Sequence, residues 1–425
     1  QRRLWFVDGV VGGSRDYCVV WPLRLRGLLD VDRLAAAVAA VVARHEVLRS
    51  RFVGVDGEPV MVVEPPGDVP VEFVDLSGAS EDARVLELKA FISEEGDRVF
   101  DLAAGPVARF RLVRLGVAEH VLIVAAHHIV FDGWSGSVFL SDLGVLYSGG
   151  VLPDLAVSFS DFVVWEREWL SGGVLEEQVG FWRRALAGAP SVVELPVDRV
   201  RPARRSGAGA RLAFGLDAGV VAGLSGVCRV EGATLFMGLL GVLNVVVSRY
   251  CGVSDVVVGT FASNRTMPEL EELVGFFVNT LVLRTDVAGD PGFAEVVRRS
   301  RVTAVGAFGH QDVPFDRVVE EVAPARVAGV MPFVQVALVV QNAPEAGGDL
   351  GSGVVVEPVP VEVRSAAFDL SVQVWEAAGG GVEGFVEYST ELFDRVTIER
   401  FVTAFGLVVE AGVADPERPI SELPL

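Results

Sequence analysis

His127 and His128 stand side by side in the stretch Val121–Ser135, VLIVAAHHIVFDGWS, and are followed by Asp132, Gly133, Trp134 and Ser135. The chain has five histidines in all. Imidazole is the side chain that takes or gives a proton near neutral pH, so this stretch could carry general acid–base chemistry. Adjacent residues at a strand end point to opposite faces. Only one of the pair can therefore face a given cavity, and the other is left to pack or hydrogen-bond. Asp132, four residues after His128, could hold a ring nitrogen, or it could pair with a distant Arg and fix the loop. Gly133 permits a backbone conformation that a Cβ would penalise and lets a substrate approach the main chain. Ser135 could add a second polar group near Gly133 or only cap a helix. No Cys lies nearby, and Glu119 and His120 belong to the far end of the apolar run, so a metal centre is not expected.

The elements that must hold these residues are legible around them. Val121–Ala126 is continuously apolar and rich in β-branched residues, which predicts a buried strand. The apolar run stops at His127. After Gly133, Val138, Asp142, Leu143 and Leu146 recur at three- and four-residue spacings, which predicts a helix. Strand, short loop and helix together present a side chain at the end of a sheet. Elsewhere, Asp30 and Asp32 precede the helical segment Leu34–His45. Asp56-Gly57 lies between Phe52–Val55 and Pro59–Val63, a hairpin signal. Ser80–Phe100 reads as a helix and Val107–Leu115 as a strand. Helices are expected over Leu175–Leu186, Ala218–Arg229 and Thr234–Tyr250, with a strand over Asp255–Phe261.

Composition bounds the function. A formal charge of −21 argues against nucleic acid and anionic membranes as partners. Three scattered cysteines, Cys18, Cys228 and Cys251, fit a reducing, cytoplasmic setting without a disulfide frame or zinc spacing. The apolar stretch Leu235–Val247 is too short to span a bilayer and carries Asn244, so a core helix is expected. Abundant Val, Gly and Arg with little Lys points to a GC-rich bacterial genome. Prolines at 190, 196 and 202 and the basic run Arg199–Arg205 predict a solvated linker over 190–209, between lobes at 1–189 and 210–425.

Several further stretches form a set. The chain opens on QRRLWF. RHEVLRSRF occupies 44–52, VSFSDFVVWEREW occupies Val157–Trp169, and SNRTMPELEELVGFFVNTLVLRTD occupies 263–286. His310-Gln-Asp-Val-Pro-Phe315, VMPFVQVALVVQ (Val330–Gln341), Phe368-Asp-Leu and GFVEYSTELF (384–393) follow. With H-H-x-x-x-D-G at 127–133, these stretches resemble the core motifs of the condensation domains of nonribosomal peptide synthetases, in the wider group of carrier- and CoA-dependent acyltransferases that includes chloramphenicol acetyltransferase. The resemblance covers nearly the whole chain. It departs from the family pattern at Ser50, where the family has Thr, at Phe159, where Tyr is usual, and at Val274, where Ile is usual. QRRLWF looks like a first motif cut short, as in a piece of a longer polypeptide.

The resemblance implies an α/β fold of two chloramphenicol-acetyltransferase-like lobes in a V-shaped pseudo-dimer, with His128 at the base of a central tunnel. It implies that His128 is the active-site histidine, with Asp132 structural and Arg265 its counter-charge, since a buried carboxylate needs one. Gly133 would present a backbone N–H near a developing oxyanion. His127, Trp134, Ser135 and Asn279 would support the site, and His45 and His310 would be positional. The pair Trp165 and Trp169 is expected in the core or against the other lobe. Donor and acceptor substrates would arrive on phosphopantetheine arms of carrier domains, beside an adenylation domain of the same synthetase, with no intrinsic cofactor. The reaction would be attack of an amine on a thioester by direct transfer, because no G-x-S-x-G-like nucleophile is present.

Other members of the group stay open. Epimerization domains share H-H-x-x-x-D-G, although RHEVLRSRF and D-G-W-S favour condensation. Heterocyclization domains replace the His pair with Asp and are excluded. Domains that dehydrate a carrier-bound residue share the motif, and a non-catalytic recruitment domain of the same fold is the binding alternative. A free-standing CoA-dependent acyltransferase fits the truncated start less well. Gly347-Gly348-Asp349 resembles a phosphopantetheine attachment site, but Leu350 stands where Ser is obligatory, so no carrier domain is fused there. Residues 342–353 read as a mobile crossing loop.

Overall fold

The structure is a computed structural model and describes residues 1–11, 13, 15–325, 327, 330–341, 348–361 and 365–425. The first 169 residues form α1 (Arg2–Val11), β1 (Cys18–Arg26), α2 (Val31–Arg44), β2 (Ser50–Val55), β3 (Glu58–Val63), β4 (Val71–Asp75), α3 (Glu81–Asp97), β5 (Ala108–Gly116), β6 (Glu119–His127), α4 (Gly133–Tyr147) and α5 (Phe159–Trp169). Then come α6 (Gly172–Ala185), β7 (Gly209–Leu216), α7 (Ala218–Val230), α8 (Leu235–Cys251), β8 (Asp255–Ala262), α9 (Pro268–Glu271), β9 (Asn279–Asp286), α10 (Phe293–Phe308) and α11 (Phe315–Val322). The last are β10 (Val336–Val340), β11 (Gly348–Asp349), β12 (Val355–Pro358), β13 (Leu370–Glu376), β14 (Val382–Ser389) and α12 (Arg395–Ala414).

Two compact units emerge, and neither is continuous in sequence. One comprises Gln1–Trp169, Arg265–Val278 and Ala343–Glu362; the other comprises Leu170–Asn264, Asn279–Asn342 and Val363–Leu425. The division therefore differs from contiguous lobes at 1–189 and 210–425, because a segment's place is set by what it packs against. The 190–209 stretch is not a solvated linker either. Val193 and Leu195 are buried in the core of the second unit. Arg201 makes a bidentate pair with Asp369, and Arg205 donates to the carbonyls of Ala366, Ala367 and Phe368. Arg199, which donates to Thr390 O and pairs with Asp394, joins Arg201 and Arg205 in internal contacts.

The first unit is built on a six-stranded sheet in the order β11-β12-β1-β6-β5-β4. β6 pairs antiparallel with β1 on one side and β5 on the other, with Cys18 opposite His127. That central place explains why Val121–Ala126 is apolar throughout: every residue of the run is essentially buried. Each such Val or Ile contributes roughly 1.5–3 kcal/mol. The expected hairpin forms between β2 and β3, with Asp56 and Gly57 both at positive φ, 52° and 83°. Asp30 caps α2 and Ser80 caps α3. Residues 348–353, expected as part of a crossing loop, supply β11 and the buried Leu350 beside β12; residues 342–347 lie outside the described residues.

The second unit has a six-stranded sheet in the order β7-β14-β13-β10-β8-β9. Its central helix is α8, buried from Gly238 to Ser248, in which Asn244 donates to Ser300 Oγ at 3.1 Å. Among the described residues no single helix is long and apolar enough to cross a membrane, although the bent pair α7 and α8 passes by length and composition. Val330–Gln341, which reads as a strand in the sequence, is one only over Val336–Val340. Phe333 takes a left-handed conformation (φ 66°) that breaks the extended run before it.

Candidate active site

β6 ends at His127, a turn covers 128–130, and α4 begins at Gly133 with Asp132 as its N-cap. The turn is fixed by main-chain bonds. His127 N–H donates to Val107 O, His128 N–H to Tyr17 O at 2.7 Å, and Val130 N–H to His127 O. The two histidines then have different surroundings. His127 is fully buried, with Nδ1 accepting the Ile129 N–H at 3.0 Å. Burial pushes it down to about 4, which Asp8 opposes and His128 reinforces. His128 is partly exposed and meets the edge of Phe276, ring centres 5.2 Å apart. Its Nδ1 is buried and makes no hydrogen bond among the described residues. Burial also holds His128 below the ordinary imidazole value, against the pull of Asp132. With Nδ1 out of reach of solvent, Nε2 is the nitrogen at which this neutral imidazole can accept a proton.

Asp132 does not hold a ring nitrogen. Its Oδ1 accepts from Ser135 N–H (2.8 Å) and Ser135 Oγ (2.7 Å), and its Oδ2 accepts from Phe277 N–H (3.2 Å). Arg265 Nη2 completes the set at 3.2 and 3.3 Å from the two oxygens. Arg265 also donates from Nη1 to the carbonyls of Leu270 and Leu273, and its guanidinium lies 4.0 Å over the Phe277 ring. Both members of the pair are essentially without solvent contact. The pair therefore fastens the 265–277 segment to the cap of α4, and with it the turn that carries His128.

Ser135 is a structural cap and not a free polar group. Its Oγ is buried, bonds Asp132 Oδ1 and lies 2.8 Å from Gly275 O and 2.9 Å from Gly275 N. Gly275 is required for this closeness, because a Cβ there would fall 2.4 Å from the Phe159 ring. Trp134 Nε1 donates to Glu271 O at 2.9 Å. Gly133 departs from expectation in one respect. Its φ is not positive, so no backbone conformation demands glycine. What it offers is room: nothing lies within 4 Å of where its Cβ would be.

Asn279 belongs to the second unit, where it bonds Gln311 O, Val313 O and Phe315 N–H and so ties β9 to the loop before α11. His310 in that unit stacks on Phe181 at 3.9 Å. His45 bonds Asp142 Oδ2 at 2.8 Å through Nε2 and accepts Val274 N–H through Nδ1, so both nitrogens are engaged. A cleft of about 220 Å³ opens beside it, lined by Arg44, Arg49, Val157, Phe159 and Val274. With no free nitrogen on His45, that cleft lacks a proton acceptor of the His128 kind. Trp165 and Trp169 stack on each other at 5.8 Å on α5 and stay 38% and 45% exposed, so they are not core residues. Phe276 was missed as a neighbour of His128: the G-F-F run marks a motif but does not say which ring turns toward the site. Among the described residues no cluster of three metal-ligating side chains occurs.

A family model described as "Condensation domain" matches residues 1–425. The chain belongs to the condensation-domain family. Segments of known synthetases are similar to it over its full length. It is 38% identical over 433 residues to a linear gramicidin synthase of Brevibacillus parabrevis, covering 100% of this chain and 8% of that protein. It is 39% identical over 427 residues to malpinin synthetase of Mortierella alpina, covering 99% of this chain and 6% of that one. The chain thus spans under a tenth of the length of these relatives. Among solved structures it is similar to the X-domain from teicoplanin biosynthesis, at 31% identity and a TM-score of 0.90, covering 100% of this chain and 96% of that one. The first condensation domain of the calcium-dependent antibiotic synthetase shares the fold at 22% identity and a TM-score of 0.80, over 100% and 97% of the two chains. The mixed α/β fold is that of condensation domains of the chloramphenicol-acetyltransferase type.

Proposed function

We propose that this condensation domain forms a peptide bond: the amine of an acceptor aminoacyl group attacks the thioester carbonyl of a donor group, each on the phosphopantetheine arm of a carrier domain. The C–N bond forms, the C–S bond breaks, and one proton passes from nitrogen to sulfur. The observation that carries this reading is His128: a depressed, neutral and partly exposed imidazole on a turn locked by Asp132 and Arg265. Such a base takes the proton from the amine and returns it to the departing thiolate, ending neutral. Its contribution is about 10²–10⁴-fold in rate. The open space at Gly133, at the first turn of α4, suits a substrate carbonyl at the N-terminal end of that helix. An adenylation domain of the same synthetase is the expected neighbour.

A second reading is a recruitment domain. Its support is the likeness to the teicoplanin X-domain, which has also been solved in complex with OxyB, at 32% identity and a TM-score of 0.89. The intact H-H-x-x-x-D-G and the closed Asp132–Arg265 pair favour catalysis. The test follows two carriers loaded with simple aminoacyl groups by intact-protein mass spectrometry, with the wild type and His128→Ala. Dipeptide on the acceptor with the wild type alone supports the proposal. A product lighter by one water indicates a dehydrating domain. No product with any pair, alongside retained binding of another protein such as OxyB, overturns it in favour of recruitment.

A further inference from the structure

We propose that Asp8 is a positioning residue for His128 and acts through His127. Asp8 lies on α1 one turn after Leu4, and both are buried, so this face of α1 is turned inward and carries a carboxylate. Its Oδ1 lies 3.6 Å from Nε2 of His127. That separation is longer than a hydrogen bond, and a shift of a few tenths of an ångström would make one.

His127 is bracketed on its other side. Nδ1 accepts the Ile129 N–H. An accepting nitrogen carries no proton, so the neutral ring carries its proton on Nε2, the nitrogen that faces Asp8. The amide held by Nδ1 belongs to the peptide immediately after His128. Turning the His127 ring would release that amide and loosen the turn on which His128 sits. The residue just before α1 grips the same turn a second time, through Gln1 Nε2 to Ile129 O at 2.9 Å. The neighbouring rings of Tyr17 and Phe100 fill space around His127 at 6.0 and 6.1 Å. Filling space needs only an apolar ring, whereas the two nitrogens here have separate tasks. The effect on turnover rests on the proposed condensation reaction; the effect on the His127 ring does not.

The test uses the whole chain with ¹⁵N-labelled imidazoles, whose spectrum has five rings to resolve. His127→Asn identifies the His127 signal and also keeps an acceptor for the Ile129 amide while losing the reach to Asp8. In the wild type His127 is expected as the Nε2–H tautomer alone. In Asp8→Ala it is expected as a mixture, with turnover down roughly ten- to a hundredfold and KM for the loaded acceptor carrier unchanged. Asp8→Asn, of nearly equal size, gives the same readouts if Asp8→Ala does not fold. The double variant Asp8→Ala with His127→Asn should lose no more than the worse single one. An unchanged tautomer with turnover within twofold of wild type, or losses that multiply in the double variant, overturns the proposal. If the wild type itself forms no amide, the condensation reading fails and the tautomer alone decides the role of Asp8.

Discussion

Arg265 Nη2 reaches both carboxylate oxygens of Asp132, at 3.2 and 3.3 Å, across 133 positions of sequence and with neither side chain in contact with solvent. Breaking such a pair leaves an uncompensated buried charge, which costs about 3–5 kcal/mol. Arg265→Ala should therefore lower the urea midpoint strongly. Arg265→Lys should recover little, because one ammonium cannot serve Asp132, Leu270 and Leu273 together. Asp132→Asn combined with Arg265→Met should be less destabilising than Arg265→Ala alone. Equal losses in the single and double variants would show that the pair contributes through packing and not through charge.

His128 presents the opposite profile. His128→Ala should lower the thermal midpoint by only a few degrees, since no charged pair is broken, while amide formation falls by about 10²–10⁴-fold. Because burial depresses its pKa, the neutral base persists below the ordinary imidazole value. The acid limb of kcat/KM should accordingly lie below pH 6.5. A limb at or above 6.5 would point to another group.

Folding stability should depend on pH through His127. Its native pKa, about 4, lies below the unfolded value of 6.5. Above pH 6.5 both states are neutral and the full stability is present. Below it the unfolded chain binds a proton that the native site resists, so stability falls as pH drops from 6.5 to 4, by on the order of 3 kcal/mol. His127→Asn should abolish that part of the decline. Urea titrations of both proteins across pH 4–7 would measure the difference.

Gly133→Ala separates room for a ligand from room for the fold. The added methyl meets nothing and the backbone needs no glycine, so stability should change by less than about 1 kcal/mol. If a thioester carbonyl occupies that space, turnover should drop or KM rise. Unchanged kinetics would place the substrate elsewhere.

His45 is expected to act on stability alone. It joins α2, α4 and Val274 through two hydrogen bonds. His45→Ala should cost about 1–3 kcal/mol by leaving the buried Val274 amide unpaired and Asp142 with Arg44 alone. The rate per folded molecule should remain near that of wild type once the fraction folded is taken from a parallel denaturation curve.

What was legible in sequence was local, and what was illegible was remote. The run Val121–Ala126 identifies β6 because a strand flanked on both sides has no polar face to show. Asp30, Ser80 and Asp56-Gly57 mark caps and a turn through their own backbone chemistry. The need of Asp132 for a cation also follows from residue type, and Arg265 meets it. Phe333 breaks Val330–Gln341 although the stretch reads as a strand, and nothing in its residue types announces the left-handed φ. Here Phe333 N–H is taken by Ser191 O. The same limit hid the grouping of Arg265–Val278 and β12 with the first unit, since long-range pairing leaves no periodicity. Gly133 misled in its φ alone: the backbone there needs no glycine, while the open space at its Cβ position agrees with the room that glycine also signals.

The interleaving of Arg265–Val278 with the first 169 residues has a consequence for how the protein comes into being. A ribosome that has released only Gln1–Trp169 has exposed Asp132 without Arg265, Ser135 without Gly275, and β1 without β12. The turn bearing His128 is finished only when the later half has emerged and threaded back. Synthesis order thus places the charge before its answer, and the nascent first half must wait in a loosened state. Grafts between related synthetases face the same constraint. A crossover near residue 190 would marry one parent's Asp132 to the other's Arg265 segment, whereas exchanging the two stretches together would keep the pair that was selected as one.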